Sequence, residues 1–264
     1  GDSVAVRYLH IDRQRGPKVE SYYRLNDGRP VWGEVRSGGA QAAAADISGK
    51  PIALQSRFFE LRGAALRSWS DGDTTSTPAP AGAWFLPPTT TPYDDAALAA
   101  WLLRQPQRSA PSVPAATARV EIAAETRVTV GGAATRLQLA AIHGIDLSPR
   151  LVWLDDAGAL FASSAGWFIT VRRGAEGVLP TLRALELQWH DARDAALATR
   201  FAPKPAAAVV IQNGDLFDSE TGTMRPRTTV VIQGERITAV GPAESTRGPA
   251  GATIIDATGR TIIP

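Results

Sequence analysis

Three histidines, two pairs of adjacent aspartates and no cysteine are the features of this sequence that bear most directly on catalysis or metal binding. The histidines are His10, His143 and His190. A catalytic zinc site needs about three protein ligands that converge on one point, and none of these histidines stands at ligand spacing to another. The sequence therefore predicts no catalytic, cofactor-binding or metal-ligating residue in this chain. The lack of cysteine also excludes a thiol nucleophile and a disulfide framework.

A local structural role is the favoured interpretation of each histidine. His143 stands at the end of a predicted strand, with no adjacent acidic residue or second histidine to support a role as a base or a ligand. His10 alternates with Tyr8 on the first predicted strand. His190 follows Trp189 on a predicted helix and is expected to face solvent.

The two aspartate pairs are better explained as turn and helix-start residues than as acid–base pairs. Asp155-Asp156 precedes Gly158 in a predicted hairpin, where aspartate commonly forms the turn. Asp94-Asp95 follows Thr91 and a proline, which together predict a capped helix start with acidic residues at the positive end of the helix dipole. The sequence contains no glycine-rich phosphate loop and no nucleophilic-serine elbow.

Aromatic side chains on predicted strands offer a different kind of site. A sheet that presents one face to solvent can carry such residues along a groove for an apolar or carbohydrate ligand. Core packing is the favoured alternative, and strand alternation requires that two adjacent tyrosines point to opposite faces. The residues concerned are Tyr22, Tyr23, Trp32, Trp69 and Trp84.

Bulk composition describes an ordinary globular chain. Of 264 residues, 44% are hydrophobic and 20% charged, and the formal net charge is +2. No cluster of basic residues is present, so nucleic acid is not an expected partner, and no apolar run is long enough to predict a membrane span. The first residue is Gly1 rather than Met, which fits a removed export signal and slightly favours a periplasmic or secreted location over a cytoplasmic one.

The elements that would position any site in the first 200 residues are mainly short alternating strands. A helix is predicted from Thr91 to about Arg104, and a longer one from about Leu179 to Arg200. The longer helix carries an apolar face at Val178, Leu182, Leu185, Trp189, Ala192 and Ala196. Segments 74–82 and 105–114 are interpreted as loops, 66–69 as an extension of the preceding strand, and Ala-rich 42–45 as helix-permissive.

The last stretch of the sequence alternates β-branched runs with glycine turns. A hairpin is predicted at Gly234-Glu235 and a second turn at Asn213-Gly214, giving a small antiparallel sheet of four or five strands. Asp218, Glu235 and Asp256 are interpreted as turn and strand-end residues.

This stretch also resembles the segment that opens proteins of the metal-dependent amidohydrolase superfamily. The residues that carry the resemblance are Ile211-x-Asn-Gly214, Val230-x-Ile-x-Gly-x-x-Ile-x-x-Val-Gly241 and Ile255-Asp-Ala-x-Gly-x-x-Ile-x-Pro264. The resemblance covers about residues 208–264. In that family the segment forms part of a β-sandwich beside a TIM barrel, and Gly-Leu-x-Asp-x-His-x-His follows, with its two histidines as metal ligands.

The resemblance implies that the parent protein hydrolyses carbon–nitrogen bonds other than peptide bonds, with one or two divalent ions, zinc being favoured, acting on water. The sequence stops at Pro264, before the expected His-x-His. This chain is therefore expected to be a truncated, inactive N-terminal fragment of bacterial type with a structural, gating or oligomerisation role. Its partner would be the rest of the barrel or another copy, and the first domain or a neighbouring copy should cover the open edges of its sheet.

Together these patterns predict an α+β fold, mostly antiparallel, in which a multi-stranded sheet with two helices precedes a partial β-sandwich segment without its barrel. The expected domains are residues 1–202, of unknown role, and 208–264, joined by a linker at 203–207. The alternative is a periplasmic ligand-binding or interaction module in which the first domain holds an apolar or carbohydrate ligand.

Overall fold

A computed structural model describes residues 2–10, 16–39, 54–70, 72–114, 116–165, 168–201, 205 and 207–263. The chain divides into two compact units, Gly1–Asp191 and Ala192–Pro264. The fold is α+β and mostly antiparallel, with two α-helices and three sheets in the described residues, which confirms the predicted class.

The first sheet is a six-stranded antiparallel meander in which each strand pairs with the next in sequence. Alternation gives it one buried face, to which Val19, Tyr23, Val35 and Phe59 contribute. Its strands are β1 (Ser3–Leu9), β2 (Pro17–Asn26), β3 (Arg29–Gly39), β4 (Gln55–Arg62), β5 (Ala65–Ser70) and β6 (Asp73–Pro78).

The second sheet has seven strands in the order β13-β12-β11-β10-β9-β8-β7, antiparallel except where β7 and β8 run parallel. Both of its faces are buried at its centre, since Leu151 and Trp153 of β11 belong to one core cluster and Val152 and Leu154 to another. Its strands are β7 (Trp84–Phe85), β8 (Ser109–Val113), β9 (Ala116–Val130), β10 (Ala133–His143), β11 (Arg150–Asp155), β12 (Leu160–Ala165) and β13 (Phe168–Val171).

One helix packs against each of these two buried faces. Helix α1 (Pro92–Leu102) begins at Thr91, whose hydroxyl accepts from the Asp94 amide while the Asp94 carboxylate accepts from the Thr91 amide. This capping box confirms the predicted helix start. The buried side chains of α1, including Leu98 and Leu102, join Val152 in one core cluster.

Helix α2 (Leu179–Phe201) closes the opposite face of the second sheet. Leu182 is buried, and Val178, Leu185 and Trp189 contact the same cluster, as the predicted apolar face requires. That face ends at Trp189, because Ala192 and Ala196 are exposed. Among the described helices, none combines the length and the apolar composition needed to cross a membrane.

The second unit contains a five-stranded sheet in the order β16-β15-β14-β17, with β18 also paired to β14. The hairpin at Gly234-Glu235 is confirmed. The predicted all-antiparallel arrangement is wrong, because β17 and β18 both pair parallel to β14. The strands are β14 (Val209–Asp218), β15 (Thr223–Gln233), β16 (Arg236–Pro242), β17 (Thr253–Asp256) and β18 (Thr261–Ile262).

Four local predictions are wrong, because pairing with a neighbouring strand, rather than residue composition, determines whether each segment is a strand, a loop or a turn. Segment 66–69 belongs to β5, a new strand, because a turn at Gly63-Ala64 separates it from β4. The predicted loop at 74–82 contains β6, and the one at 105–114 contains a short 3-10 helix and β8. Asn213-Gly214 is a bulge inside β14 with Asn213 at φ 64°, not a turn. The Ala-rich segment 42–45 lies outside the described residues.

Candidate functional site

The three histidines lie in separate local environments. His10 contacts Phe168, with ring centroids 4.0 Å apart. His143 Nε2 lies 3.2 Å from Glu121 Oε1 without the geometry of a directed hydrogen bond. His190 departs from expectation, because it is half-buried and lines a cavity rather than facing open solvent.

The described residues do not supply a ligand set for the divalent metal that the resemblance implies. Among them, no group of three or more histidine, cysteine, aspartate or glutamate side chains is arranged to hold a metal ion. A zinc centre of the usual kind requires such a convergence.

The aspartate pairs occupy the positions expected of turn and helix-start residues. Asp94 completes the cap of α1; burial raises the pKa of its carboxyl, and the hydrogen bonds from Thr91 oppose that rise. Burial also raises the pKa of Asp95, against the opposing effect of its ion pair with Arg150. Asp155 ends β11, and Asp156 is exposed in the turn that follows.

Asp155 holds the β11–β12 hairpin together through both carboxylate oxygens. Its Oδ1 accepts from the amides of Ala157 at 3.0 Å and Ala159 at 2.9 Å, and its Oδ2 accepts from Arg172 at 2.7 Å. Burial of the carboxyl works against ionisation, but these donors outweigh it and lower the pKa of Asp155.

We expect Asp155→Ala to lower the free energy of unfolding by about 1–3 kcal/mol at neutral pH, because it removes three hydrogen bonds to a charged acceptor. Asp156→Ala, the matched control, should change it by less than about 0.5 kcal/mol. Because folding lowers the pKa of Asp155, its contribution is full above the unfolded pKa and disappears as the pH falls through the folded pKa. Urea unfolding of both variants at several pH values measures this; equal costs at neutral pH would contradict it.

The aromatic residues on the strands of the first sheet lie on both of its faces, as strand alternation requires. Tyr23 is buried in the core, whereas its neighbour Tyr22 is 41% exposed. Trp84 is also buried, so the core interpretation holds for it and for Tyr23. Tyr22, Trp32 and Trp69 instead lie in a row of aromatic contacts across β2 to β5, in which Phe58 is the central member.

One end of this aromatic row borders a pocket of about 230 Å³. The rings of Phe58 and Trp69 stack there, 5.4 Å apart and 7° from parallel. Pro87 and Pro88 contribute further apolar lining, while Arg57 and Asp73 add one charge of each sign and several serine and threonine residues add hydroxyls. The pocket therefore combines mainly apolar walls with polar groups, as small-molecule sites commonly do.

A second and larger cavity, of about 780 Å³, lies in the first unit, bordered by the start of α1, the loop before β11 and helix α2. On one side, Arg150 Nη1 donates to Asp95 Oδ1 at 3.1 Å and to Thr90 Oγ1 at 3.2 Å. Arg150 Nη2 also lies 3.5 Å from Asp146 Oδ2. Arg150 is thus fixed from three directions.

Arg183 and Glu186 of α2 also line this cavity, joined by a 3.1 Å ion pair. Glu186 is buried, and its Oε1 accepts from Trp153 Nε1 at 2.9 Å and from Ser164 Oγ at 3.2 Å. Asp95 and His190 of the cavity lining stand out in the sequence for other reasons, but Arg150, Arg183 and Glu186 belong to no sequence motif. The available signal was Glu186 itself, one turn after Leu182 on the apolar face of the predicted helix.

Several apolar side chains on the sheet of the second unit are exposed. Ile237 is 65% exposed, Ile254 54% and Ile255 46%, and these lie on its edge strands β16 and β17. Asp256 Oδ1 accepts from Asn213 at 3.1 Å and from the hydroxyl of Thr258 at 2.7 Å, so it is a turn-forming residue as predicted.

A scan against protein-family models, a search of curated proteins and a search of solved structures each found no match for this chain.

Proposed function

We propose that this chain is the non-catalytic N-terminal portion of a metal-dependent amidohydrolase, with a structural, gating or oligomerisation role. The parent enzyme would hydrolyse carbon–nitrogen bonds other than peptide bonds. The observation that carries the proposal is that the three motif segments of the resemblance lie in one sheet. Asn213-Gly214 is on the central strand β14, Gly234-Glu235 joins β15 to β16, and Asp256 ends β17.

The packing of that sheet supports the same proposal. In the described part of the chain, its core cluster has Ala208, Val210 and Val231 as buried members, while isoleucines on both edge strands are exposed. Exposed apolar side chains of this kind mark surfaces that another part of a protein covers. The further strands of a sandwich, or a neighbouring copy, would provide that cover.

The test is to sequence the full translated product across the bond that follows Pro264. The proposal expects Gly-Leu-x-Asp-x-His-x-His there, and it expects the longer product to retain a divalent metal on gel filtration. The 264-residue chain, as the control, should retain none. A product without the His-x-His sequence contradicts the proposal.

A ligand-binding role of the first unit is the second candidate, and the pocket beside the stacked Phe58–Trp69 pair favours it. Its apolar lining suits a small neutral apolar molecule. We expect the fluorescence of N-phenyl-1-naphthylamine to rise saturably on titration with the protein, and Trp69→Ala to weaken that binding about tenfold.

Trp32→Ala is the matched control for that titration, because Trp32 belongs to the same aromatic row but does not line the pocket. It should bind the probe as the unaltered protein does. An equal loss of probe affinity in the two variants would contradict this second candidate. So would the lack of a saturable rise in probe fluorescence.

A further inference from the structure

The large cavity of the first unit has the size of a small-molecule site. At about 780 Å³ it falls within the range of roughly 300–1,000 Å³ that is usual for ligand pockets. All of its lining residues belong to the first unit. It shares no lining residue with the aromatic pocket beside Trp69.

Two guanidinium–carboxylate pairs give this cavity fixed polar groups. The carboxylates that hold the guanidinium groups are themselves shielded, with side-chain exposures of 17% for Asp95 and 4% for Glu186. Glu186 is fixed further by the indole of Trp153 and the hydroxyl of Ser164. Groups held in this way bind a ligand without a large ordering cost, since their rotamers are already set.

The balance of charge decides which class of ligand these groups suit. Two guanidinium groups, Arg150 and Arg183, face three carboxylates, Asp95, Asp146 and Glu186. Each guanidinium is already neutralised by at least one carboxylate within 3.1 Å, so no excess positive charge is left for an anion. A cation would find only Asp146 beyond these two pairs, and that carboxylate is 52% exposed and already lies 3.5 Å from Arg150, so the described lining of the cavity offers a cation no enclosed set of ligands.

A neutral hydroxyl-rich ligand fits this arrangement best. A hydroxyl group both donates and accepts, so it can accept from a guanidinium and donate to the neighbouring carboxylate without separating the pair. Ser163 and Ser148 add hydroxyls to the lining, and Tyr8, Leu151 and Leu187 add apolar surface. That combination matches the alternating polar edges and apolar faces of a sugar ring.

We propose that this cavity is a binding site for a neutral saccharide or related polyol, held by the Arg150–Asp95 and Arg183–Glu186 pairs. The inference is independent of the amidohydrolase proposal, since it uses only residues before the second unit.

Calorimetric titration of the complete chain with maltotriose, cellotriose and mannotriose tests the site, with citrate and spermidine as charged probes. We expect saturable binding of at least one trisaccharide and of neither charged probe. Arg183→Ala should weaken the binding by about tenfold or more, because it removes charged hydrogen-bond donors. Arg193→Ala, which alters an arginine of the same helix outside the cavity, should bind as the unaltered chain does.

A second variant keeps the test decisive if Arg183→Ala fails to fold. Ser148 is exposed on the loop that borders the cavity, so the indole of Ser148→Trp should obstruct part of the cavity and weaken binding with an unchanged far-UV spectrum. Binding of no trisaccharide, or binding of citrate or spermidine instead, overturns the proposal. So does trisaccharide binding that survives Ser148→Trp but is lost in Trp69→Ala, which would place the sugar in the aromatic pocket.

Discussion

Replacing Trp153 by alanine is expected to lower the free energy of unfolding of the first unit by about 4–6 kcal/mol. Trp153 is fully buried in the cluster that joins the second sheet to α2. Truncating a buried tryptophan typically costs about 3–5 kcal/mol, because it loses apolar burial and leaves a cavity. The substitution also removes a donor to the buried carboxylate of Glu186, which adds about 1 kcal/mol or more.

Trp153→Phe separates most of the packing contribution from the hydrogen bond, since it keeps a six-membered aromatic ring in the core but removes the indole N–H together with the pyrrole part of the side chain. We expect the free energy of unfolding of this variant to fall by about 1–3 kcal/mol, from the lost hydrogen bond to Glu186 and from the smaller ring. Urea unfolding followed by far-UV circular dichroism measures both variants. If Trp153→Ala cost less than about 2 kcal/mol, α2 would not depend on this contact for its position, and the cavity wall formed by Arg183 would not be rigid.

In the first unit, sequence patterns predict where helices and strands lie more reliably than they predict which strands pair with each other. The helix starting after Thr91 was predictable because its cap is local, and the apolar face of α2 through Trp189 was predictable because it follows a helical period. Strands β6 and β8 were missed, because Thr, Ser and Pro favour loops over short distances. Their strand structure comes from pairing with β5 and β9 instead.

In the second unit, too, the sequence predicts strands but not all of their pairing partners. Its alternation identified β15 and β16, and the glycine turn identified the hairpin between them. The parallel pairing of Val210 with Ile254 was not predictable, because strand periodicity carries no information about the direction of a partner more than 40 residues away.

The candidate cavity could not be assembled from the sequence, because its members are far apart along the chain. Asp95 meets Arg150, and Trp153 meets Glu186, only after the second sheet has received a helix on each face. A buried glutamate on an otherwise apolar helix face was the one local sign of it. Such a carboxylate requires a partner, since an unpaired buried charge is costly.

Gly144→Ala is the second substitution for which we expect a large effect. Gly144 has a φ of 83°, a conformation in which any residue with a Cβ is strained by about 1–3 kcal/mol. The added methyl group would also overlap the backbone carbonyl oxygen of Thr117, at the start of β9. One of the two backbone segments must move to remove this overlap. We therefore expect the substitution to lower the free energy of unfolding by about 3–5 kcal/mol, as measured by urea unfolding.

Gly132→Ala provides a closely matched control at the other end of β10. Its φ of 82° is almost the same, but an added Cβ meets no atom within 4 Å. It should therefore show the conformational cost alone, about 1–2 kcal/mol, so that the difference between the variants measures the collision with Thr117. Equal costs would contradict that collision and would show that the turn after β10 shifts freely. Because that turn leads through the loop that carries Asp146 to Arg150 at the start of β11, such freedom would also argue against a preformed cavity.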